Sequence, residues 1–365
     1  MKYILDNDPL LEGQIIESST PKELLQYAVG ALLYTPAFSP RIVEVLGNHT
    51  YPSLKAWSFC LEDSLADEAV EAAAIHLISE LGRLAQLVEA GALEREALPL
   101  LFIRVRSAEQ IELLYAQLTE IDWLLCGFIA PKFERSNMET YLAAMQSINR
   151  RSSHQLYLMP ILESQAIMDK QTRFAELSAI RQALGECAEA ILNVRVGGND
   201  FCNQFGLRRG TNKSIYDIGV INDVLMDILN VFAADFVVSA PVWEYFGTSE
   251  EPAWQQGLQR ELELDRLNGF IGKTAVHPAQ LPIIQRSLMV EEADYRDALQ
   301  ILDWQDEQLG VRKGVVLQRM NEVRVHKRWA EKIMALSAVY GCLLYTSQCH
   351  RSCRIGLCGR QGQPV

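Results

Sequence analysis

Eight short apolar runs recur between residues 31 and 278, and stretches of helical period separate them. Charged residues stand where most of the runs end. These features predict an α/β fold, a (β/α)8 TIM barrel with a C-terminal helical extension. Near-continuous apolar strands alternating with helices belong to a parallel sheet whose outer side is covered by helices. Eight such units over roughly 250 residues is the count of a closed barrel. The alternative is an open doubly wound sheet. It would carry a glycine-rich phosphate turn after its first strand, and "TPAFSPR" is not one.

The first run is "ALLYTPA" (31–37). The second, "LKAWSFCLED" (54–63), ends in Glu62 and Asp63, and the third, "LPLLFIRVRS" (98–107), carries Arg104 and Arg106. The fourth, "WLLCGFIAPK" (123–132), ends at Lys132, and the fifth, "LYLMPILES" (156–164), brings Glu163. The sixth, "ILNVRVGGND" (191–200), passes through Gly197 and Gly198 to Asp200. A turn alone would account for that ending; the alternative is that the glycines let a ligand approach and Asp200 is aimed at it. The seventh, "ADFVVSAPVWE" (234–244), ends in Trp243 and Glu244, and the eighth, "GFIGKTAVHP" (269–278), in His277. Intervening segments such as "DEAVEAAAIHLISELGRLAQLVEAG" place their apolar residues on one helical face. The expected division is a lead-in (1–27), the barrel (28–290), a helical segment (291–341) and an irregular tail (342–365). In the last helix Val325, Trp329, Ile333, Leu336 and Tyr340 share one face, with Gly341 as the stop.

The C-terminal strand ends of such a barrel open into one mouth, where the chemistry of this fold resides. Charges converging there make Asp200 a ligand rather than a turn residue. Two carboxylates on adjacent strands, Glu163 and Asp200, suit a hard cation such as Mg2+; no His/Cys set is available for zinc. Arg104 offers a planar fork for a substrate carboxylate or a developing enolate. Metal plus arginine around a 2-oxo or 2-hydroxy acid is the apparatus for making and quenching an enolate. The plainer reading of Glu163 and Arg104 is an internal salt bridge closing the barrel.

At these residues the sequence resembles the citrate lyase β-subunit and malyl-CoA lyase-like aldolases, the HpcH/HpaI aldolase family. It is most similar to the branch described as TIM-barrel carbon–carbon bond lyases found near tellurium-resistance genes. The pieces that carry the likeness are "LLYTPA", "LEDSLADEAVEAA", "FIRVRS", "APKF", "LMPILES", "VGGNDF" and "HPAQLPII", with "FGLRRG", "SIYDIGVINDVLMDILNVF" and "SAPVWEYFG" from that branch. They span about residues 28 to 341. The resemblance implies Glu163 and Asp200 as magnesium ligands and Arg104 as the substrate-binding arginine. It places Glu62 and Asp63 beside the metal as the acidic pair, with Asp63 chosen for proton transfer. It also implies a homo-oligomer, with the C-terminal helices packed over the barrel or a neighbouring subunit. The chain departs from the better-known lyases at Arg106, where they have a small polar residue, and at Asn199, where they have glutamate. An extra charge at Arg106 implies a more anionic substrate than malate or citrate, so acyl-CoA binding is not simply inherited.

Other signals limit the function. The chain has 365 residues, 49% of them hydrophobic, and a formal net charge of -12. That balance excludes a general nucleic-acid or anionic-membrane binder, which needs a basic face. "MKYILDNDPLLEGQ" has no positive region before an apolar run, and no stretch approaches the ~20 apolar residues of a membrane span. Cys60, Cys126, Cys187 and Cys202 read as thiols of a reduced, cytoplasmic protein. Cys342, Cys349, Cys353 and Cys358 lack a paired C-x-x-C and are not read as a zinc site. "CLLYTS" is also what a transposon end used in library preparation encodes, so the tail from Cys342 is set outside the fold. Arg208, Arg209 and Lys213 are candidates for holding a phosphate or CoA pyrophosphate at the rim, or else form a solvated loop. Lys132 and His277 are further candidates for substrate contact, with His277 weighted towards a capping role. "GFIGKT" fails the P-loop pattern because Leu267 stands where its first glycine belongs.

The resulting expectation is a Mg2+-dependent lyase or aldolase acting through an enolate of a small organic acid or acyl thioester. The alternatives are an inactive barrel that binds a small anion or nucleotide-like ligand, and phosphoenolpyruvate-type phosphoryl transfer.

Overall fold

A computed structural model describes residues 10–11, 13–38, 41–248, 252–305, 310–315 and 318–343. The chain forms two units, one of residues 15–288 and one of the residues on either side of that span.

In the larger unit eight parallel strands follow one another round a cylinder. They are β1 (Ala31–Pro36), β2 (Ala56–Cys60), β3 (Leu100–Arg104) and β4 (Leu125–Ala130), then β5 (Tyr157–Leu162), β6 (Val194–Val196), β7 (Val238–Ser239) and β8 (Lys273–Ala275). From β1 to β7 each pairs with the next in chain order, and β8 pairs with β1. The ring closes where Ala240 N–H donates to the Gly272 carbonyl (3.0 Å) and Ile271 N–H to that of Val238 (2.9 Å). Gly272 is needed there: its φ is +74°, and a Cβ on it would meet the Gly30 carbonyl oxygen at 2.4 Å.

Alternation along the strands divides the side chains between two environments. Leu33, Trp57, Phe59, Leu101, Ile103, Leu158, Val194 and Val238 face outward into one apolar core shared with the helices. Tyr34, Arg104, Ile161, Arg195 and Thr274 face inward and line a cavity. The covering helices are α1 (Ile42–Gly47), α2 (Val70–Glu89), α3 (Ala108–Leu118), α4 (Met138–Asn149) and α5 (Arg173–Glu186). They continue as α6 (Gly198–Gln204), α7 (Gly219–Phe232), α8 (Ala253–Asn268) and α9 (Leu281–Leu288). Helix α7 buries Ile221, Val224, Leu225, Ile228 and Phe232, the 3.6-residue stripe of a core-facing helix. Each such side chain contributes about 1.5–3 kcal/mol by leaving water. The outer shell therefore holds the fold, and the mouth is free to carry strain and charge.

The expected apolar runs each contain a strand, but the strands stop earlier. Asp200, Arg106, Lys132, Glu244 and His277 all lie beyond the last strand residue, and Asp200 sits in the first turn of α6.

In the smaller unit, helices Glu292–Leu302 and Val323–Tyr340 pack together, and a two-stranded ribbon joins Val311–Lys313 to Met320–Glu322. Gly341 ends the last helix at φ +79°, as expected. The buried face of that helix begins at Ala330 and includes Ile333 and Leu336, whereas Val325, expected on it, is 68% exposed. Cys342–Leu343, expected to stand outside the fold, forms a strand. It pairs antiparallel with Leu10–Leu11 and parallel with Val290–Glu291. The rest of the tail, with Cys349, Cys353 and Cys358, lies outside the described residues. Among the described residues no helix is long and apolar enough to cross a membrane.

Candidate active site at the barrel mouth

Glu163 follows β5 directly and is 4% exposed. Its Oε1 accepts the Lys132 backbone N–H at 2.8 Å. Lys132 adopts φ +46°, a left-handed conformation that costs a non-glycine residue of order 1–3 kcal/mol and persists where the surroundings enforce it. Just past the end of β6, Gly197 leaves room for Glu163: a Cβ there would fall 2.0 Å from Oε2. Asp200 approaches the same cavity from α6. Burial pushes the Glu163 carboxyl up to about 8; the Asp200 charge adds to the rise and Arg104 opposes it. Glu163 and Asp200 line one cavity, and two carboxylates so placed form an oxygen donor set that a hard dication satisfies. Among the described residues no three His, Cys, Asp or Glu side chains form a complete cage. One or two carboxylates with water and substrate is the way Mg2+ is usually held.

Arg104, the last residue of β3, is 8% exposed and lies at the centre of the charges. Its Nη2 is 2.6 Å from Glu62 Oε2, 2.9 Å from Asp63 Oδ2 and 3.6 Å from Glu163 Oε1. Lys132 Nζ reaches Glu62 Oε1 (2.5 Å) and Asp63 Oδ1 (3.1 Å), so one residue serves Glu163 with its main chain and the acidic pair with its side chain. Asp63 lines the cavity and Glu62 stands behind it. Burial works against the Asp63 charge, but the Glu62 hydrogen bond, Arg104 and Lys132 together hold it at about 2. Glu62 is raised, by burial first and then by its hydrogen bond with Asp63. The pair therefore divides into Asp63, which faces the cavity, and Glu62, which is held behind it between Arg104 and Lys132.

The cavity has a volume of about 210 Å³. Tyr34, Arg195 and Thr274 line it, and none of them is a charge at the end of an expected strand. The Arg104 and Arg195 guanidinium carbons lie 5.8 and 6.0 Å from the Tyr34 ring centroid. Arg195 sits inside an apolar run and reads there as a strand residue. Its place beside outward-facing Val194 is the available signal, since successive residues of a strand face opposite ways.

Several expected site residues lie elsewhere. Arg106 follows the last paired residue of β3, so the alternation that aims Arg104 inward does not apply to it. It donates to the carbonyls of Leu61 (2.8 Å), Leu65 (2.7 Å) and Glu62 (3.3 Å) and pairs with Asp67. It straps the loop that carries Glu62 and Asp63 and adds no charge to the cavity. Arg208 is exposed, 3.3 Å from Glu244. Arg209 is not at the rim: it is 3% exposed, donates to the Val242 carbonyl (2.5 Å) and lies 3.2 Å from Glu261. Glu261 also meets Lys273 at 3.0 Å, and Lys273 meets Asp265 at 3.0 Å. This buried ion network ties α8 to β8 and employs the lysine of "GFIGKT" structurally. His277 caps the turn after β8, its Nδ1 accepting from Ala279 N–H at 3.2 Å, and its ring stacks on Phe246. Trp243 is buried beneath the Arg209 guanidinium.

The profile of one family, described as C–C bond lyase of the TIM-barrel fold, matches residues 23–342. Among solved structures, CitE from Mycobacterium tuberculosis in complex with magnesium, acetoacetate and coenzyme A is 16% identical, with a TM-score of 0.53. That likeness covers 86% of this chain and 99% of the other, and it speaks for the fold. RipC from Yersinia pestis is 19% identical over 72% of this chain and 95% of its own, with a TM-score of 0.45. No curated protein sequence matches.

Proposed function

The chain belongs to the C–C bond lyases of the TIM-barrel fold, and from that premise we propose that it is a Mg2+-dependent lyase. It makes or breaks a carbon–carbon bond beside an oxo or carboxyl group, through an enolate of its substrate. The observation that carries this reading is the facing pair Glu163 and Asp200 beside the Arg104 fork, all lining one cavity.

Glu163 and Asp200 would hold the metal, with Lys132 N–H fixing the Glu163 carboxylate in place. Mg2+ bound there supplies a Lewis acid that polarises the oxo oxygen of the substrate. Arg104 presents its guanidinium to the substrate carboxylate and to the negative charge that develops as the bond breaks. Asp63, ionised and facing the cavity, takes up or returns the proton at the substrate carbon. The carbanion left at that carbon needs a neighbouring carbonyl to take up its charge, which favours 2-oxo acids and acyl thioesters as substrates. A volume of about 210 Å³ holds a small acid; it is below the ~300–1,000 Å³ of drug-sized sites, so a CoA chain would lie outside.

The test is proton exchange. Incubated with Mg2+ and pyruvate in D2O, the protein should exchange the C3 protons, and Glu163→Gln should not. A chain that binds 2-oxo acids with Mg2+ and exchanges none of them is a binding barrel, not a lyase.

A further inference from the structure

Arg195 is 2% exposed, a guanidinium held inside the barrel against neutral neighbours. Its Nη2 donates to Thr274 Oγ1 at 2.7 Å, while Nε and Nη1 have no partner. Among the described residues no carboxylate lies within ion-pair distance of it. Two more buried donors in the same cavity are unanswered, the Tyr34 hydroxyl and Arg104 Nε. A buried guanidinium without a counter-ion is among the costliest groups a core can hold, and cores otherwise hydrogen-bond such atoms. Arg104 differs in kind, since the carboxyl groups of Glu62, Asp63 and Glu163 all lie within ion-pair distance of it.

The placement is specific. Arg195 pairs in register with Ile161, one inward step below Glu163, and it faces the cavity beneath the carboxylates. We propose that Arg195, with Tyr34, is a second anion subsite that receives a carboxylate of the bound ligand, separate from the end held by Arg104. Arginine suits a planar carboxylate because its fork donates from fixed positions, and the tyrosine hydroxyl adds a neutral donor beside it. The small cavity favours a carboxylate over the larger tetrahedral phosphate. The extra positive charge that the sequence suggested at Arg106 thus enters the cavity from Arg195. This inference rests on the lyase reading only for the metal-held end of the ligand.

Calorimetric titration of pyruvate, oxaloacetate and phosphonopyruvate in the presence of Mg2+ tests it, on wild type, Arg195→Met and Arg195→Lys. The quantity read is the ratio of diacid to monoacid affinity. Wild type should favour oxaloacetate over pyruvate by about tenfold or more, the scale of one charge-assisted hydrogen bond. In Arg195→Met the ratio should fall to about one, and in Arg195→Lys to an intermediate value, since the charge remains and the fork is lost. Should Arg195→Met fail to fold, Arg195→Lys and Tyr34→Phe carry the comparison. A ratio unchanged by the substitutions overturns the subsite, and a stronger preference for phosphonopyruvate overturns its assignment to a carboxylate. Succinate titrated without Mg2+ separates this inference from the lyase reading. If no 2-oxo acid binds with the metal, succinate binding that is lost in Arg195→Met still supports the subsite, and its absence overturns it.

Discussion

Glu163 Oε2 occupies the space in which a side chain at Gly197 would begin, 2.0 Å from where its Cβ would stand. The carboxylate proposed to hold the metal and the glycine before α6 are therefore one device: the missing side chain sets how deep the carboxylate can lie. Gly197→Ala must displace Glu163 and break its 2.8 Å bond to Lys132 N–H. Mg2+ affinity should fall at least tenfold, about 1.4 kcal/mol, while far-UV circular dichroism stays unchanged. Wild-type Mg2+ affinity in this variant would show that the close approach is incidental.

Asp200→Asn keeps the shape of the side chain and removes its charge. A neutral amide attracts a hard dication far less than a carboxylate. Calorimetry should report severe loss of Mg2+ binding with thermal stability preserved. Equal affinity in the two proteins would take Asp200 out of the metal site.

Arg104 and Arg106 should behave differently although they are two residues apart. Arg104→Lys keeps a charge and loses the fork, so turnover should fall by about one to two orders of magnitude, a loss of roughly 1.5–3 kcal/mol. Arg106→Met removes the strap on the loop carrying Glu62 and Asp63. It should lower unfolding free energy by about 1–3 kcal/mol without changing selectivity between substrates. A selectivity change in Arg106→Met, with stability intact, would restore it to the mouth.

The network behind β8 gives a pH dependence. Burial raises the Asp265 carboxyl to about 6 against the pull of Lys273, from an ordinary value of 3.8. Between those values the folded state holds more protons than the unfolded chain, so its contribution to stability is complete below 3.8 and is lost as pH rises through 6. Denaturant midpoints of wild type and Asp265→Asn, compared from pH 4 to 7, should show the wild-type advantage shrinking as pH rises. A difference that stays flat would mean that Lys273 keeps Asp265 ionised throughout.

Much of this site is legible in the sequence because a barrel sends all its C-terminal strand ends to one place. That rule finds Glu163, Asp200, Arg104, Asp63 and Lys132 among hundreds of residues. It does not fix where a side chain points beyond the last paired residue. Arg106 has the right spacing from Arg104, but pairing ends at Arg104 and the side chain is then set by the loop. Arg209 looks like a rim cation in the sequence, and only the buried Glu261 of α8, far along the chain, shows that it is structural. Arg195 and Tyr34 stay hidden for the opposite reason, since inside an apolar run a polar inward residue has no local signature. The last helix shows the same limit: helical period proposes Val325 for the buried face, and tertiary packing leaves it in solvent.

The ring closes through two short strands, two residues in β7 and three in β8. Local opening follows the path of fewest broken contacts, so the cylinder should breathe at this seam. Amides of Ala240 and Ile271 would then exchange with solvent before those of β2 or β3. Val242 and Thr274 beside the seam line the cavity, and Thr274 holds Arg195. A ligand bound there fastens both edges of the seam, and slowed deuterium uptake at these amides becomes a gauge of occupancy that needs no turnover.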